Sequence, residues 1–135
     1  MQKLNIAILS YRSAPFGGGQ GIYVHDISKA LSLMGHQVDV ISGPPYPNLS
    51  EKINLIKLPG LNLFQTFSFK ERLKIFIKKK NKRAIDFYEF FSTFFGGFPE
   101  MRTFGERAKE FLGENHHYDI VIDNQSISYG MLKIQ

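Results

Sequence analysis

Apolar positions along the chain change their spacing several times, and each change marks an element. Leu4–Leu9 (LNIAIL) is a short, nearly continuous apolar run, the pattern of a strand covered on both faces of a parallel sheet. It runs into SYRSAPFGGGQG, where one proline and four glycines within five positions interrupt regular structure. From Ile22 the spacing becomes helical: Ile22, Val24, Ile27, Ala30, Leu31 and Met34 mark one broad face, with Gly35 placed to end the helix. Val38–Ile41 is a second apolar run, closed by SGPPYP, which cannot continue a strand. Ile53–Leu58 (INLIKL) reads as a third strand, ended by Pro59-Gly60.

The pattern between Phe69 and Phe95 suits one or two helices, through Leu73, Phe76, Ile77, Ile85, Tyr88, Phe91 and Phe95. Gly96-Gly97-Phe98-Pro99 breaks it. Arg102–Leu112 reads as a further helix ended by Gly113, and Tyr118–Ile122 (YDIVI) as another buried strand leading into DNQSISYG and the start of a helix. Strand, glycine loop, helix and strand in the first 42 residues form a βαβ unit, which brings parallel strands side by side. The expected fold is α/β: one Rossmann-like, three-layer domain over residues 1–135 with a mostly parallel sheet. The final residues, GMLKIQ, fall one turn into the last helix, so the chain is expected to be part of a longer protein.

Composition narrows the classes. A chain of 135 residues with 43% apolar content can bury a core unaided, and the lack of cysteine removes both disulfides and thiolate metal sites. The amino terminus lacks the apolar stretch and cleavage site of a secretory signal, and no run nears the ~18 apolar residues of a spanning helix. A cytoplasmic protein, soluble or peripheral at the inner membrane face, is the expectation. The net charge of +5 is concentrated: Lys70–Arg83 holds eight basic residues and one acid, interleaved with Leu73, Ile75, Phe76 and Ile77. Two readings of this segment stand, an amphipathic face touching anionic lipid and a solvated helix whose apolar side packs on the domain. Nucleic-acid binding is not expected, because the bases are confined to one segment outside any recognisable module.

The glycine loop is the first candidate site. Gly18, Gly19, Gln20 and Gly21 lie between a buried strand and a helix whose first N–H groups suit phosphate or another oxyanion. A tight turn that merely packs strand on helix is the alternative. The loop fails the dinucleotide pattern G-x-G-x-x-G, since Ile22 or Val24 stands where the third glycine is needed, and the P-loop pattern is absent. Asp39 lies inside the second strand, not at its end as a ribose ligand would. Asp123, Asn124 and Gln125 form the second candidate, at the carboxyl end of a strand, where they would hydrogen-bond sugar hydroxyls or cap the following helix. His25, on the first helix near the glycine loop, either points towards the cleft or is an exposed helix residue, and His36 reads as a helix-end residue suited to the dipole. His116 and His117 precede a strand without a carboxylate at the spacing of a metal site, so no metal is expected.

Together, FGGGQGIYVHDISKALSLMGHQVDVISGPPYP, GGFPEMRTF and YDIVIDNQSISYG resemble family-4 glycosyltransferases of the GT-B architecture, in consistent order over essentially the whole chain. The resemblance implies the amino-terminal, acceptor-side half of a two-domain enzyme whose carboxy-terminal half binds a nucleotide-diphosphate sugar. It implies retaining, metal-independent transfer to an acceptor hydroxyl of a sugar or lipid-linked acceptor, with no cofactor beyond the donor substrate. The 135 residues alone would then be inactive. The family's paired glutamates belong to the donor half; Glu106 and Glu114 share their eight-residue spacing but lie in an ordinary helical stretch, ERAKEFLGE. Relatives' histidine near the last strand end is replaced here by Ile122 or Asp123. The contrasting expectation is a non-catalytic phosphate- or nucleotide-binding module.

Overall fold

A computed structural model of the protein describes residues 2–15, 18–115 and 117–124. Four strands, β1 (Asn5–Ser10), β2 (Gln37–Ser42), β3 (Asn54–Lys57) and β4 (Ile120–Asp123), form an all-parallel sheet in the order β3-β2-β1-β4. Ile6 of β1 faces Val38 on one side and Ile120 on the other, so β1 is central. Alternation along the strands supplies two apolar faces. Ile6, Ile8, Val38 and Val40 pack with Val24 of α1 (Gly19–Leu33), whereas Ala7, Leu9 and Ile41 pack with Phe104, Ala108 and Leu112 of α4 (Pro99–Glu114). Helix, sheet and helix thus make the three layers expected of this pattern.

Helix α1 begins three residues before the apolar spacing suggested. Its buried stripe is Gly21, Val24 and Ser28, with Ile27 and Leu31 half-buried beside it, while Ile22, Ala30 and Met34 are exposed. Small residues set the approach of this helix to the sheet, and smallness leaves no mark in an apolar pattern. Helix α4 is longer at both ends than Arg102–Leu112. Pro99 occupies its first turn, where no intrahelical N–H is required. Gly113 lies within the helix rather than after it, and the Asn115 amide closes the end on the Phe111 carbonyl at 2.8 Å. Strand β4 is not buried on both faces. Ile120 and Val121 are exposed because, among the described residues, β4 is an edge strand paired with β1 alone.

The middle segment resolves into α2 (Phe69–Lys78) and α3 (Ala84–Ser92). Leu73, Ile75 and Phe76 of α2 pack on Leu61, Leu63 and Phe90, with the Phe76 and Phe90 rings stacked at 4.5 Å. Part of the basic run is committed to the fold: Lys82 donates to the Ile77 and Lys79 carbonyls, and Lys79 pairs with Asp86. The helix therefore packs its apolar side on the domain, although Ile77 stays exposed. Among the described residues no helix is long and apolar enough to cross a membrane.

A buried ionic cluster joins α3 to α4. Arg107 donates to Asp86 at 2.8 Å and to Glu89 at 2.7 Å, and the second Glu89 oxygen accepts the Leu61 N–H at 2.8 Å. Burial opposes ionisation of Asp86, but the Arg83 N–H, Lys79 and Arg107 outweigh it and hold its carboxyl below the usual value. Arg107→Met leaves Glu89 buried without its counter-ion and should cost about 3–5 kcal/mol in urea unfolding. Arg83→Ala, at the exposed pair with Glu110, should cost about 0–1 kcal/mol. Because the native Asp86 value is lowered, its stabilisation is intact above about pH 4 and drains away as pH falls through the native value. Asp86→Asn should flatten that acid limb.

Candidate functional site

The strand order reverses between β1 and β4: the chain steps from β1 outward through β2 and β3, then returns to the other side of β1. The crevice beyond the carboxyl ends of such a neighbouring pair is where open α/β sheets hold ligands. Both sequence-derived candidates flank it. The glycine loop leaves β1, and Asp123 and Asn124 end β4, with Asp123 opposite Leu9.

Gly18 is the residue before α1 and has φ of +105°, a conformation open to glycine and strained for L side chains. Gly19, Gln20 and Gly21 form the first turn of α1, which carries no acidic side chain and receives no side-chain cap from Gly18. Its N–H groups and positive dipole end therefore face the loop. Gly21 is needed for a different reason. A Cβ there would lie 2.3 Å from the Ala14 carbonyl oxygen, so the helix start is pressed onto its own loop. The loop is pinned in turn by the Ser13 N–H, which donates to the Pro45 carbonyl at 2.9 Å.

Asn124 is buried. Its N–H donates to the Leu9 carbonyl at 2.8 Å and its side-chain amide meets Ser10 Oγ at 3.5 Å, while Ser10 and Ser13 contact each other through their hydroxyls. The Asn124 side chain thus ties the end of β4 to the end of β1. Asp123 is exposed at the same edge, and Gln125 lies outside the described residues. The histidines take separate roles. The His36 ring accepts the Leu4 N–H, His25 contacts Asp26, and His117 lies 4.0 Å from Asp39. Asp39 accepts the Tyr118 hydroxyl at 2.8 Å; burial and this carboxylate push the phenol up. Among the described residues no three His, Cys, Asp or Glu gather as a metal would require. Glu106 and Glu114 both belong to α4.

The geometry adds residues that sequence reading passed over. Arg12, two residues beyond β1, has its guanidinium 4.0 Å above the Phe64 ring and 3.6 Å from Glu100. Glu100 stands in the first turn of α4 and accepts the Phe64 N–H at 2.9 Å. Burial raises its carboxyl above the usual value, against the pull of the Phe64 N–H and Arg12. Phe98 lies 5.6 Å from Phe64, ring to ring. With Tyr11 and Met101 these residues line a cavity of about 360 Å³. The available signal was GGFPE itself, whose glutamate follows a proline at a helix start, together with an arginine immediately after a central strand.

Over 133 residues, 97% of its length, the chain is 41% identical to the MMP alpha-(1->4)-mannosyltransferase of Mycolicibacterium hassiacum. That relative is a glycosyltransferase by name. The chain spans about a third of the relative's length, 32%. No family model matches the chain. The aligned stretch takes in nearly all of the chain, so the similarity is one of the whole α/β unit and not of the glycine turn alone.

Crowding at Gly21 can be checked directly. Gly21→Ala drives a methyl group into the Ala14 carbonyl and should destabilise the protein by about 1–3 kcal/mol. Gly113→Ala, in α4 with open space around the new carbon, should stabilise it by about 0.5–1 kcal/mol. Urea midpoints of the two variants should move in opposite directions.

Proposed function

We propose that this chain is the acceptor-side part of a glycosyltransferase. The observation that carries the reading is 41% identity to a mannosyltransferase over 97% of the chain. The position of the glycine loop at the β1–β4 switch point supports it, because that is where an α/β sheet presents ligand-binding loops.

In this reading the protein belongs to the family-4, GT-B type, and a second Rossmann-like unit binds a nucleotide-diphosphate sugar across the cleft. The acceptor hydroxyl oxygen forms a bond to the anomeric carbon as the bond to the diphosphate breaks, the departing diphosphate oxygen takes the hydroxyl proton, configuration is retained and no metal is required. Gly18, Gly19, Gln20 and Gly21 face the developing diphosphate charge with backbone N–H groups and the dipole end of α1, preorganised to stabilise it. Asp123 and Gln125 are assigned to substrate hydroxyls at the β4 end, and Asn124 holds that end on β1. The protein works in the cytoplasm. Exposed members of Lys70–Arg83 would meet the inner membrane face if the acceptor is lipid-linked.

A hybrid in which this chain replaces the aligned third of the M. hassiacum mannosyltransferase tests the reading. The hybrid should transfer mannosyl groups, and Gly19→Val within it should lower turnover about 10²-fold by displacing substrate. The urea midpoint should barely move, since a side chain at Gly19 meets open space. A folded hybrid without transfer would contradict the proposal and favour a phosphate- or nucleotide-binding module.

A further inference from the structure

The cavity lined by Tyr11, Arg12, Phe64, Phe98, Glu100 and Met101 has a specific chemical character. Its volume of about 360 Å³ falls at the small end of the ~300–1,000 Å³ typical of small-molecule sites. It shares Phe64, Phe98 and Glu100 with a neighbouring cavity of about 290 Å³, so the two adjoin. Two aromatic rings make its apolar wall. Phe64 and Phe98 are 47% and 68% exposed, with planes tilted by 43°. Exposed rings side by side at a pocket mouth are costly in water unless a ligand covers them.

The polar wall is a single ion pair, and its geometry is open. Arg12 and Glu100 approach to 3.6 Å, wider than a hydrogen bond, with side chains only 14% and 16% exposed. The Phe64 ring holds the guanidinium 4.0 Å above its centre, and the Phe64 N–H fixes one carboxylate oxygen. The pair has no net charge, so a free phosphate gains nothing from Arg12 that Glu100 does not take back. An acyl chain would strip water from both charges and return no hydrogen bond. A pyranose ring meets every requirement. Its C–H face packs on the rings, while adjacent hydroxyls donate to Glu100 and accept from Arg12.

We propose that Arg12, Phe64, Phe98 and Glu100 form a saccharide subsite that grips a neutral sugar ring of the acceptor. The assignment rests on the acceptor-side reading above and names residues beyond the glycine loop and the β4 end. Phe98 is the platform, and the Arg12–Glu100 pair selects ring hydroxyls. The adjoining cavity accommodates the next sugar residue, so an oligosaccharide should bind more tightly than a monosaccharide.

Calorimetric titration of the full chain with an α-(1→4)-linked manno-oligosaccharide, methyl α-mannoside and phosphatidylglycerol-containing vesicles tests this. The oligosaccharide should bind, and Phe98→Ala and Glu100→Gln should each weaken it about tenfold, the equivalent of about 1.4 kcal/mol. Phe95→Ala, at a ring 89% exposed outside both cavities, should leave binding unchanged. Oligosaccharide binding that is insensitive to Phe98→Ala and Glu100→Gln would overturn the subsite. If the hybrid enzyme still turned over, the glycosyltransferase reading would survive. Vesicle binding lost in Phe98→Ala without saccharide binding would overturn the subsite in favour of a lipid surface. A wild-type chain that binds no saccharide overturns it outright.

Discussion

Arg107 stands between two buried carboxylates, and the arrangement around the crevice depends on that contact. It reaches Asp86 and Glu89 on α3 from its place on α4, and Glu89 passes the restraint on to the backbone of Leu61. Three segments far apart in sequence are fixed relative to one another by one guanidinium. Burying these charges is costly in isolation, and an apolar cluster of equal volume would hold the helices together as well or better. The ionic version adds direction. It sets the orientation of α4, whose first turn carries Glu100, and of the 61–64 segment, which carries Phe64.

From that frame the carboxyl edge of the sheet follows. β1 is central, so the loop that leaves it meets β4 on one side and the β2 loop at Pro45 on the other. Gly21 brings α1 onto Ala14, and Ser10 and Asn124 lock the two strand ends. The result is a floor of backbone N–H groups at the start of α1 beside a wall of two phenylalanines and an ion pair. In the proposed reading the floor faces negative charge and the wall an apolar, hydroxylated ring, the two surfaces a sugar transfer requires.

The sheet was largely legible from sequence. The four strands fall within one or two residues of the apolar runs at Leu4, Val38, Ile53 and Tyr118; for β1 and β2 this is because buried parallel strands write themselves as continuous apolar stretches. Helix α1 was displaced because Gly21 and Ser28, on either side of Val24, make up most of its buried stripe. The glycine loop was found by composition, and the β4 end by its place after a strand. Arg12, Phe64 and Glu100 were not, since they converge from three segments and share no local spacing. A lone charged residue next to a loop carries no sign of its partner. Thirteen phenylalanines also obscured which two line a cavity and which hold α2 on α3.

The central proposal is that acceptor recognition lies at the carboxyl edge between β1 and β4, extended over the Phe64–Phe98 wall. Mapping amide shifts of the isotope-labelled chain during titration with an α-(1→4)-linked manno-oligosaccharide tests it most directly. The largest changes should cluster at residues 11–13, 63–64, 98–101 and 123–124. Changes confined to the outer face of α2, or scattered without focus on those segments, would contradict it.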